Sequence, residues 1–245
     1  MMFTYDGMMK DAPKGAKVGI GRGSGRGNVE NSASAFRNVT IYDDAAELVN
    51  DLKDGAIDAA VRGDMSSSVL MPLIKKAFRI SEVQRTVLMQ PVGKRMMFIA
   101  PVGIDEGWTA DQKYELAVRS IELMRRMGMN ERIAVMSGGR SDDKGRNGTV
   151  DRTIDDAAVL VKRLRSEGYD AYDAEILIEE AAEKADLLIA PDGISGNIIF
   201  RTLHFLGNAK ALGAPVLNID RVFVDTSRGK TDYRDSIALA KMLTR

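Results

Sequence analysis

Strand-like and helix-like segments alternate along nearly the whole chain. The apolar runs Val18 to Gly21, Val39 to Tyr42 and Ala56 to Val61 are each followed by a turn, and helical patterns occupy 43–54 and 66–78. Such a rhythm is typical of parallel strands joined by helical crossovers. A chain of 245 residues suffices for one large α/β domain or for two closely joined lobes. We therefore predict an α/β fold with a mostly parallel sheet flanked by helices.

This rhythm is interrupted near residue 90. Two apolar runs, Thr86 to Gln90 and Met96 to Ala100, are separated by a short segment with proline and glycine, which predicts a hairpin or an antiparallel insertion. Such an insertion can mark a lobe boundary. We predict a single α/β unit over 1–245 that divides into two lobes with a cleft, approximately 1–85 plus C-terminal segments and approximately 86–225.

The second half carries clearer signals of helix ends. Thr109 with Gln112 forms a capping box, and the helix it begins is predicted to run to Met127 before Gly128. The other predicted elements are helices over 149–167, 174–184, 195–206 and 233–243, and strands over 132–136, 187–190, 215–219 and 222–224.

Composition excludes several function classes. Lys plus Arg and Asp plus Glu are 35 each, so no net charge draws the chain to nucleic acid or to an anionic membrane. Absence of cysteine removes disulfides and thiolate chemistry, and His204 is the only histidine, set in a predicted helix as a packed residue. No segment approaches the ~20 apolar residues of a membrane span, and the opening residues do not resemble a signal peptide. We expect a cytoplasmic protein without a bound metal.

A glycine run follows the first strand. Glycines alternate from Gly19 to Gly27, a spacing that fits no nucleotide-binding fingerprint. The segment Gly21 to Asn28 still offers backbone N–H groups, and Arg22 and Arg26 offer guanidinium groups suited to phosphate. The alternative interpretation is a flexible surface loop.

A second turn with candidate binding residues follows the strand that ends near Ala190. In open α/β sheets, ligands bind at the carboxyl ends of strands. Asp192, Ser195, Gly196 and Asn197 lie in this turn, where glycine permits close backbone approach and the polar side chains can bind a ligand oxygen. The alternative is a plain strand-to-helix turn with Ser195 as the helix N-cap.

A third turn follows the strand over 222–224. Ser227 and Arg228 combine a hydroxyl with a guanidinium, which can hold phosphate or polarise a carbonyl. Asp232 and Asp235 follow shortly afterwards, and a carboxylate can accept a proton. The alternative is a capped turn with exposed charges.

These turns resemble motifs of the phosphate acetyl/butyryl transferases. The segment 185–197, A-D-L-L-I-A-P-D followed by G-N, resembles the family's "A-D-x-L-x-x-P-D … G-N", and 226–229 resembles its "S-R-G". Weaker matches lie at 57–63 and 127–137, so the likeness spans roughly 56–245. Within the superfamily, the chain is most similar to the archaeal MtxX proteins, called methyltransferase-related or methanogen marker proteins.

The resemblance implies an isocitrate dehydrogenase-like fold, a homodimer, and acyl transfer between coenzyme A (or acyl-CoA) and phosphate (or an acyl phosphate), without metal. In that chemistry, a thiol attacks an acyl phosphate, an Asp assists deprotonation, and Ser and Arg stabilise the developing charge. By motif match, Ser227, Arg228, Asp192, Gly196 and Asn197 carry over.

The match has departures. The family's catalytic Asp lies seven residues after the Ser, where this chain has Arg234, so Asp232 and Asp235 are both candidates for the base. The family's N-terminal arginines cannot be placed, which leaves Arg22, Arg26 and Arg62 as candidates for binding coenzyme or phosphate.

Three other functions are weighed against acyl transfer. The displaced Asp favours a non-catalytic accessory protein that binds coenzyme A or another anion. Methyltransfer is suggested only by the family label, and a dehydrogenase is disfavoured because no nucleotide or metal-carboxylate pattern is present.

Overall fold

The computed structural model describes residues 5–25 and 27–244, with Asp11 described in its backbone only. Within them the chain forms two compact units. The central unit is Gln84–Ala211, and the discontinuous unit joins 5–83 to 212–244.

The regular elements follow the chain in an alternating order. The helices are α1 Tyr5–Asp11, α2 Asn28–Ala33, α3 Ala45–Asp54, α4 Ser67–Phe78, α5 Ala110–Arg126, α6 Gly148–Ser166, α7 Ile178–Lys184, α8 Gly193–Arg201 and α9 Arg234–Leu243. The strands are β1 Val18–Gly21, β2 Val39–Tyr42, β3 Ala59–Val61, β4 Val87–Gln90, β5 Met97–Ala100, β6 Ile133–Met136, β7 Ala171–Glu175, β8 Leu187–Ile189, β9 Lys210–Pro215 and β10 Val222–Asp225. A short 3₁₀ helix covers Ser141–Asp143, and a π-helical turn, Thr202–Leu206, follows α8.

In the discontinuous unit the strands lie in the order β2-β1-β3-β10-β9. All pair in parallel except β9, which is antiparallel to β10. Asp44 caps α3 by accepting hydrogen bonds from the backbone of the first turn, and Gly55 ends that helix at a φ of 76°. Leu48 and Leu52 of α3 and Ile74 of α4 pack in one apolar core with Phe223 of β10. The helices thus cover the sheet because their apolar stripes require burial.

In the central unit the order is β4-β5-β8-β6-β7. The pair β4 and β5 is antiparallel, as the hairpin pattern predicted, and the other pairs are parallel. The predicted capping box is also confirmed, since Thr109 Oγ1 accepts a hydrogen bond from Gln112 N and the Gln112 side chain binds Thr109 N. The mostly parallel α/β class predicted from the sequence is confirmed.

Three element boundaries were wrong. The predicted helix over 174–184 is the strand β7 followed by α7, because only Ala171 and Ala174 of β7 are buried and the strand lacks an apolar run. The helix predicted over 195–206 begins earlier, at Gly193, and becomes π-helical after Arg201. The strand predicted over 215–219 is instead β9, which ends at Pro215. No helix in the described part of the chain is long and apolar enough to cross a membrane.

Candidate functional site

Three neighbouring parallel strands of the discontinuous unit end at one edge of its sheet. These are β1, β3 and β10, which finish at Gly21, Val61 and Asp225. The segments that follow them hold Arg22, Arg62 and the Ser227-Arg228 pair. The fold therefore gathers three of the sequence-predicted segments at the edge where open α/β sheets bind ligands.

A buried ion pair anchors the start of the third segment. The Nε of Arg62 donates to Oδ1 of Asp225, and its Nη1 donates to the Met65 carbonyl at 2.7 Å. The hydroxyl of Thr226 donates to the carbonyl of Gly63 at 2.7 Å. Arg62 thus ties the end of β3 to the end of β10, and its predicted contact with a ligand stays a prediction.

Ser227 and Arg228 follow this anchor. The Oγ of Ser227 accepts a hydrogen bond from Gly229 N at 3.2 Å, which bends the backbone into a tight turn. Arg228 is exposed, and within the described residues its guanidinium donates to no protein acceptor. A guanidinium with unused donors at a strand terminus is suited to an incoming oxyanion.

A buried Lys–Asp pair lies directly after this turn. Lys230 Nζ is 2.5 Å from Oδ1 of Asp235 and 3.2 Å from the hydroxyl of Ser236. Burial raises the pKa of Asp235 and lowers the pKa of Lys230, while the opposite charge of each partner counteracts the shift of the other. Sequence reasoning missed Lys230, because a lysine in a loop is normally a solvated side chain.

The two candidate carboxylates have different environments. Asp232 accepts hydrogen bonds from the backbone N of Arg234 at 2.9 Å and from its Nε at 2.8 Å, and these contacts lower the pKa of Asp232. Asp235 is more deeply buried and has its pKa raised. Of the two, Asp235 is the stronger proton acceptor near neutral pH.

The glycine run packs closely against Asp64. The Oδ1 of Asp64 accepts a hydrogen bond from Gly23 N at 2.6 Å, and the Oδ2 of Asp64 is buried without a hydrogen-bond partner among the described residues. A Cβ on Gly25 would lie 1.9 Å from that Oδ2, and a Cβ on Gly23 would lie 2.6 Å from the Asp64 carbonyl oxygen. Glycine at these two positions therefore has a packing reason, which the flexible-loop interpretation did not anticipate.

Arg22 is engaged by carboxylates. Its Nε and Nη2 each lie 2.6 Å from an oxygen of Asp43, and its Nη1 lies 2.9 Å from Glu30. The guanidinium lowers the pKa of both carboxyls through these hydrogen bonds. An anion would have to compete with two carboxylates for Arg22. Arg26 lies outside the described residues.

In the central unit, Asp192 is the N-cap of α8. Its Oδ1 accepts a hydrogen bond from Ser195 N at 2.8 Å. The interpretation of Ser195 as the cap was therefore wrong: an aspartate three residues before it performs that role. Ser195 is half-buried, and within the described residues its hydroxyl makes no hydrogen bond.

Gly196 and Asn197 fasten α8 to the segment after β5. A Cβ on Gly196 would lie 1.9 Å from the Pro101 carbonyl oxygen, so only glycine fits there. The side-chain amide of Asn197 donates to the carbonyl of Val102 at 2.8 Å. These two motif residues therefore hold the backbone in place, and their contact with a ligand stays a prediction.

His204 packs within the helical segment that follows α8. His204 Nδ1 donates to the Ala209 carbonyl at 2.8 Å, and its ring stacks on Phe200 with centroids 5.7 Å apart. Among residues 5–25 and 27–244, no group of three or more acidic or histidine side chains is arranged to hold a metal ion.

Comparison with known proteins places this chain among acyltransferase relatives. The family model described as phosphate acetyl/butaryl transferase matches residues 26–242. The "Putative methyltransferase mtx subunit X" of Methanosarcina acetivorans is 43% identical over 188 residues, 77% of this chain and 67% of that protein.

Solved structures agree on the fold. A phosphotransacetylase from Streptococcus pyogenes superposes with a TM-score of 0.71 at 17% identity, covering 98% of this chain and 96% of that one. Isocitrate dehydrogenase from Methylococcus capsulatus gives a TM-score of 0.58 at 10% identity, covering 93% and 85%. The predicted isocitrate dehydrogenase-like fold is confirmed. By its sequence match over most of its length, the chain belongs to the phosphate acetyl/butaryl transferase family.

Proposed function

We propose that this protein transfers an acyl group between coenzyme A and phosphate, with Ser227, Arg228 and Asp235 as the reacting centre. The observation that carries the proposal is the position of these residues. The guanidinium of Arg228, which has no acceptor in the described part of the chain, and the buried carboxyl of Asp235 flank one turn at the carboxyl edge of a parallel sheet. Family membership supports the same chemistry.

The proposed reaction needs one proton acceptor and one anion-stabilising group. The coenzyme A thiol gives its proton to Asp235, and the resulting thiolate attacks the acyl carbon of an acyl phosphate. A C–S bond forms, the C–O bond to phosphate breaks, and phosphate leaves with the bonding electron pair. Asp235 suits this task because burial has raised the pKa of its carboxyl toward neutral pH.

Arg228 and Ser227 stabilise charge in this scheme. The oxyanion on the acyl carbon and the leaving phosphate are both negative, and a planar guanidinium can bind either of them with two parallel hydrogen bonds. Ser227 Oγ already accepts from Gly229 N, so its own proton remains available for a phosphate oxygen. Neither step requires cysteine, histidine or a metal.

Lys230 is the charge partner of the proposed base. Its positive charge counteracts the burial that raises the pKa of Asp235, and its Nζ also hydrogen-bonds to Ser236. When Asp235 takes a proton, Lys230 loses its countercharge. We therefore assign Lys230 as a positioning residue, with no direct contact to substrate.

The test measures the transfer of an acyl group from an acyl phosphate to coenzyme A by the purified protein. Arg228→Gln should lower turnover about a hundredfold, on the order of 3 kcal/mol, because one charge-assisted donor to the transition state is lost. Arg228→Lys should rescue poorly, since an ammonium cannot reproduce the two-pronged contact. Arg152→Gln, on the exposed side of α6, is the matched control and should leave turnover unchanged. Wild-type turnover that is insensitive to Arg228→Gln would refute the assignment.

A second candidate is a non-catalytic accessory protein that binds the same anions. Two observations favour it: Arg22 is occupied by Asp43 and Glu30, and the position seven residues after Ser227 is Arg234. Binding of coenzyme A or phosphate without turnover of any acyl donor would support this candidate over the enzyme. Methyl transfer, which the name of the Methanosarcina relative suggests, would instead show as turnover of S-adenosylmethionine.

The proposal includes a homodimer, as the family resemblance implies, and a cytoplasmic location, as the sequence composition led us to expect. Light scattering on the purified protein tests the dimer directly.

A further inference from the structure

A cleft lies in the discontinuous unit, at the sheet edge opposite to the one that carries Ser227. It has a volume of about 700 Å³ and is bounded by α1, by residues 12–15 before β1, by residues 35–38 before β2, and by Lys241 of α9. Because β1 and β2 run parallel to β3 and β10, the segments that precede them are at the amino edge of the sheet. The cleft is therefore separate from the proposed reacting centre.

The rim of this cleft is basic. Lys10, Lys14 and Arg37 line it and are exposed. None of these three side chains makes an ion pair with any side chain that the structure describes. The whole chain has equal numbers of basic and acidic residues, so this concentration of positive charge is local. Cations gathered around a concave surface raise the local concentration of anions.

The floor of the cleft holds a buried ammonium group. Lys241 is 2% exposed, and its Nζ donates to the carbonyls of Ala16 at 2.5 Å and Arg37 at 3.1 Å. The negative charge of Asp58 acts on the Lys241 ammonium and opposes the lowering of its pKa. However, the Asp58 Oδ2 accepts a hydrogen bond from Lys17 N, and Asp58 forms no ion pair with Lys241. Burial lowers the pKa of Lys241.

Among the side chains and carbonyls that the structure describes, this ammonium has one hydrogen-bond donor left. Two of its three N–H groups are used by carbonyls, which are neutral acceptors. A buried cation is costly unless it is paired with an opposite charge. An anion in the cleft would supply the missing charge of Lys241 and would also be attracted by the three cations of the rim.

The remaining walls are apolar. Met9, Pro13 and Phe36 line the same space. A cleft of this volume falls in the range of small-molecule sites, and such sites combine apolar walls with a few polar groups. A bare inorganic ion would leave the apolar walls unused.

We propose that this cleft binds a small organic phosphate, with the phosphate groups held by Lys14, Arg37 and Lys241 and the organic part packed on Phe36 and Pro13. Occupation of this site does not depend on acyl transfer, so the inference stands or falls separately from the proposed function.

The test uses adenosine diphosphate as the probe, measured by calorimetry and by NMR. Binding should shift the backbone amide signals of Gly15 and Asn38, which line the cleft. The double variant Lys14→Glu/Arg37→Glu should weaken binding at least tenfold, because two attractive charges become repulsive. The matched control is Lys53→Glu/Lys76→Glu, which makes the same change of net charge at exposed positions on α3 and α4 outside the cleft.

Two further measurements separate this site from the reacting centre. Arg228→Gln should leave the shifts of Gly15 and Asn38 unchanged, and inorganic pyrophosphate should bind at least fivefold more weakly than adenosine diphosphate. Equal affinity of the two double variants, or shifts confined to residues near Ser227, would overturn the site. Equal affinity for pyrophosphate and adenosine diphosphate would overturn the assignment to an organic phosphate.

Discussion

Replacing Lys230 by methionine isolates the role of the buried pair. The side chains of Lys230 and Asp235 are 9% and 16% exposed, so both charges are largely removed from water. Removing one partner of such a pair typically costs 3–5 kcal/mol, because the other charge stays buried without compensation. We take the lower end, about 3 kcal/mol at pH 7, since neither side chain is fully buried. With a urea dependence of roughly 2–3 kcal/mol per molar, the unfolding midpoint should fall by about 1 M.

The pH dependence gives the sign of the effect. Burial has raised the pKa of Asp235, so its carboxyl favours the folded state when protonated and loses that contribution as the pH rises through the folded-state pKa. Lys230→Met removes the cation that opposes this shift. The variant should therefore be destabilised least in acid, where the carboxyl is neutral, and most above the raised pKa.

Asp235→Asn should show the opposite trend. It leaves Lys230 buried without a carboxylate, and burial already lowers the pKa of that lysine. The folded state then loses its proton more readily than the unfolded state, so stability rises with pH through the lowered pKa. The double variant Lys230→Met/Asp235→Asn carries neither buried charge and should recover most of the loss.

The assay is urea unfolding of the three variants and wild type between pH 4 and pH 9, followed by circular dichroism. Single-variant losses that are equal at all pH values, or that simply add in the double variant, would refute the claim that the two charges are coupled and buried. Coupled activity loss in Lys230→Met, with a shifted pH profile, would support its positioning role.

Two further outcomes are expected. Gly196→Ala should destabilise the central unit by roughly 1–3 kcal/mol in thermal unfolding, because the new Cβ would lie 1.9 Å from the Pro101 carbonyl oxygen, whereas Gly148→Ala, at an open position, should not. Asp232→Asn should change stability by less than about 1 kcal/mol and leave turnover within about twofold of wild type, since its exposed ion pair with Arg234 is weak; a turnover loss as large as that of Asp235→Asn would contradict the choice of base.

The fold was predictable because its signals are local. The capping box of α5 and the hairpin of β4 and β5 are each determined by a few residues that are close together in the sequence. Strand β7 was missed because its buried positions are alanines, which give no β-branched or apolar run. The boundary at Arg201 was missed because a π-helical turn has the same composition as an α-helix.

The candidate site was only partly predictable, for a different reason. Motifs identified Ser227 and Arg228, but the choice between Asp232 and Asp235 depends on burial, which one sequence does not reveal. Lys230 became a candidate only when its distance to Asp235 was known. Arg62 and Asp225 are 163 residues apart in the sequence, and a contact between residues so far apart has no local sequence signal.

The discontinuous unit has a consequence for synthesis of the protein on the ribosome. Its sheet needs β10, which pairs with β3, yet the whole segment Gln84–Ala211 is translated between them. At a translation rate of roughly 5–20 residues per second, β10 is made on the order of ten seconds after β3. During that interval β3 presents an unpaired edge, since its neighbour β10 has not yet been made. Nascent chains that end at residue 211 and are extended by a flexible linker long enough to clear the ribosome exit tunnel should therefore protect the central unit from protease while leaving residues 5–83 open to cleavage.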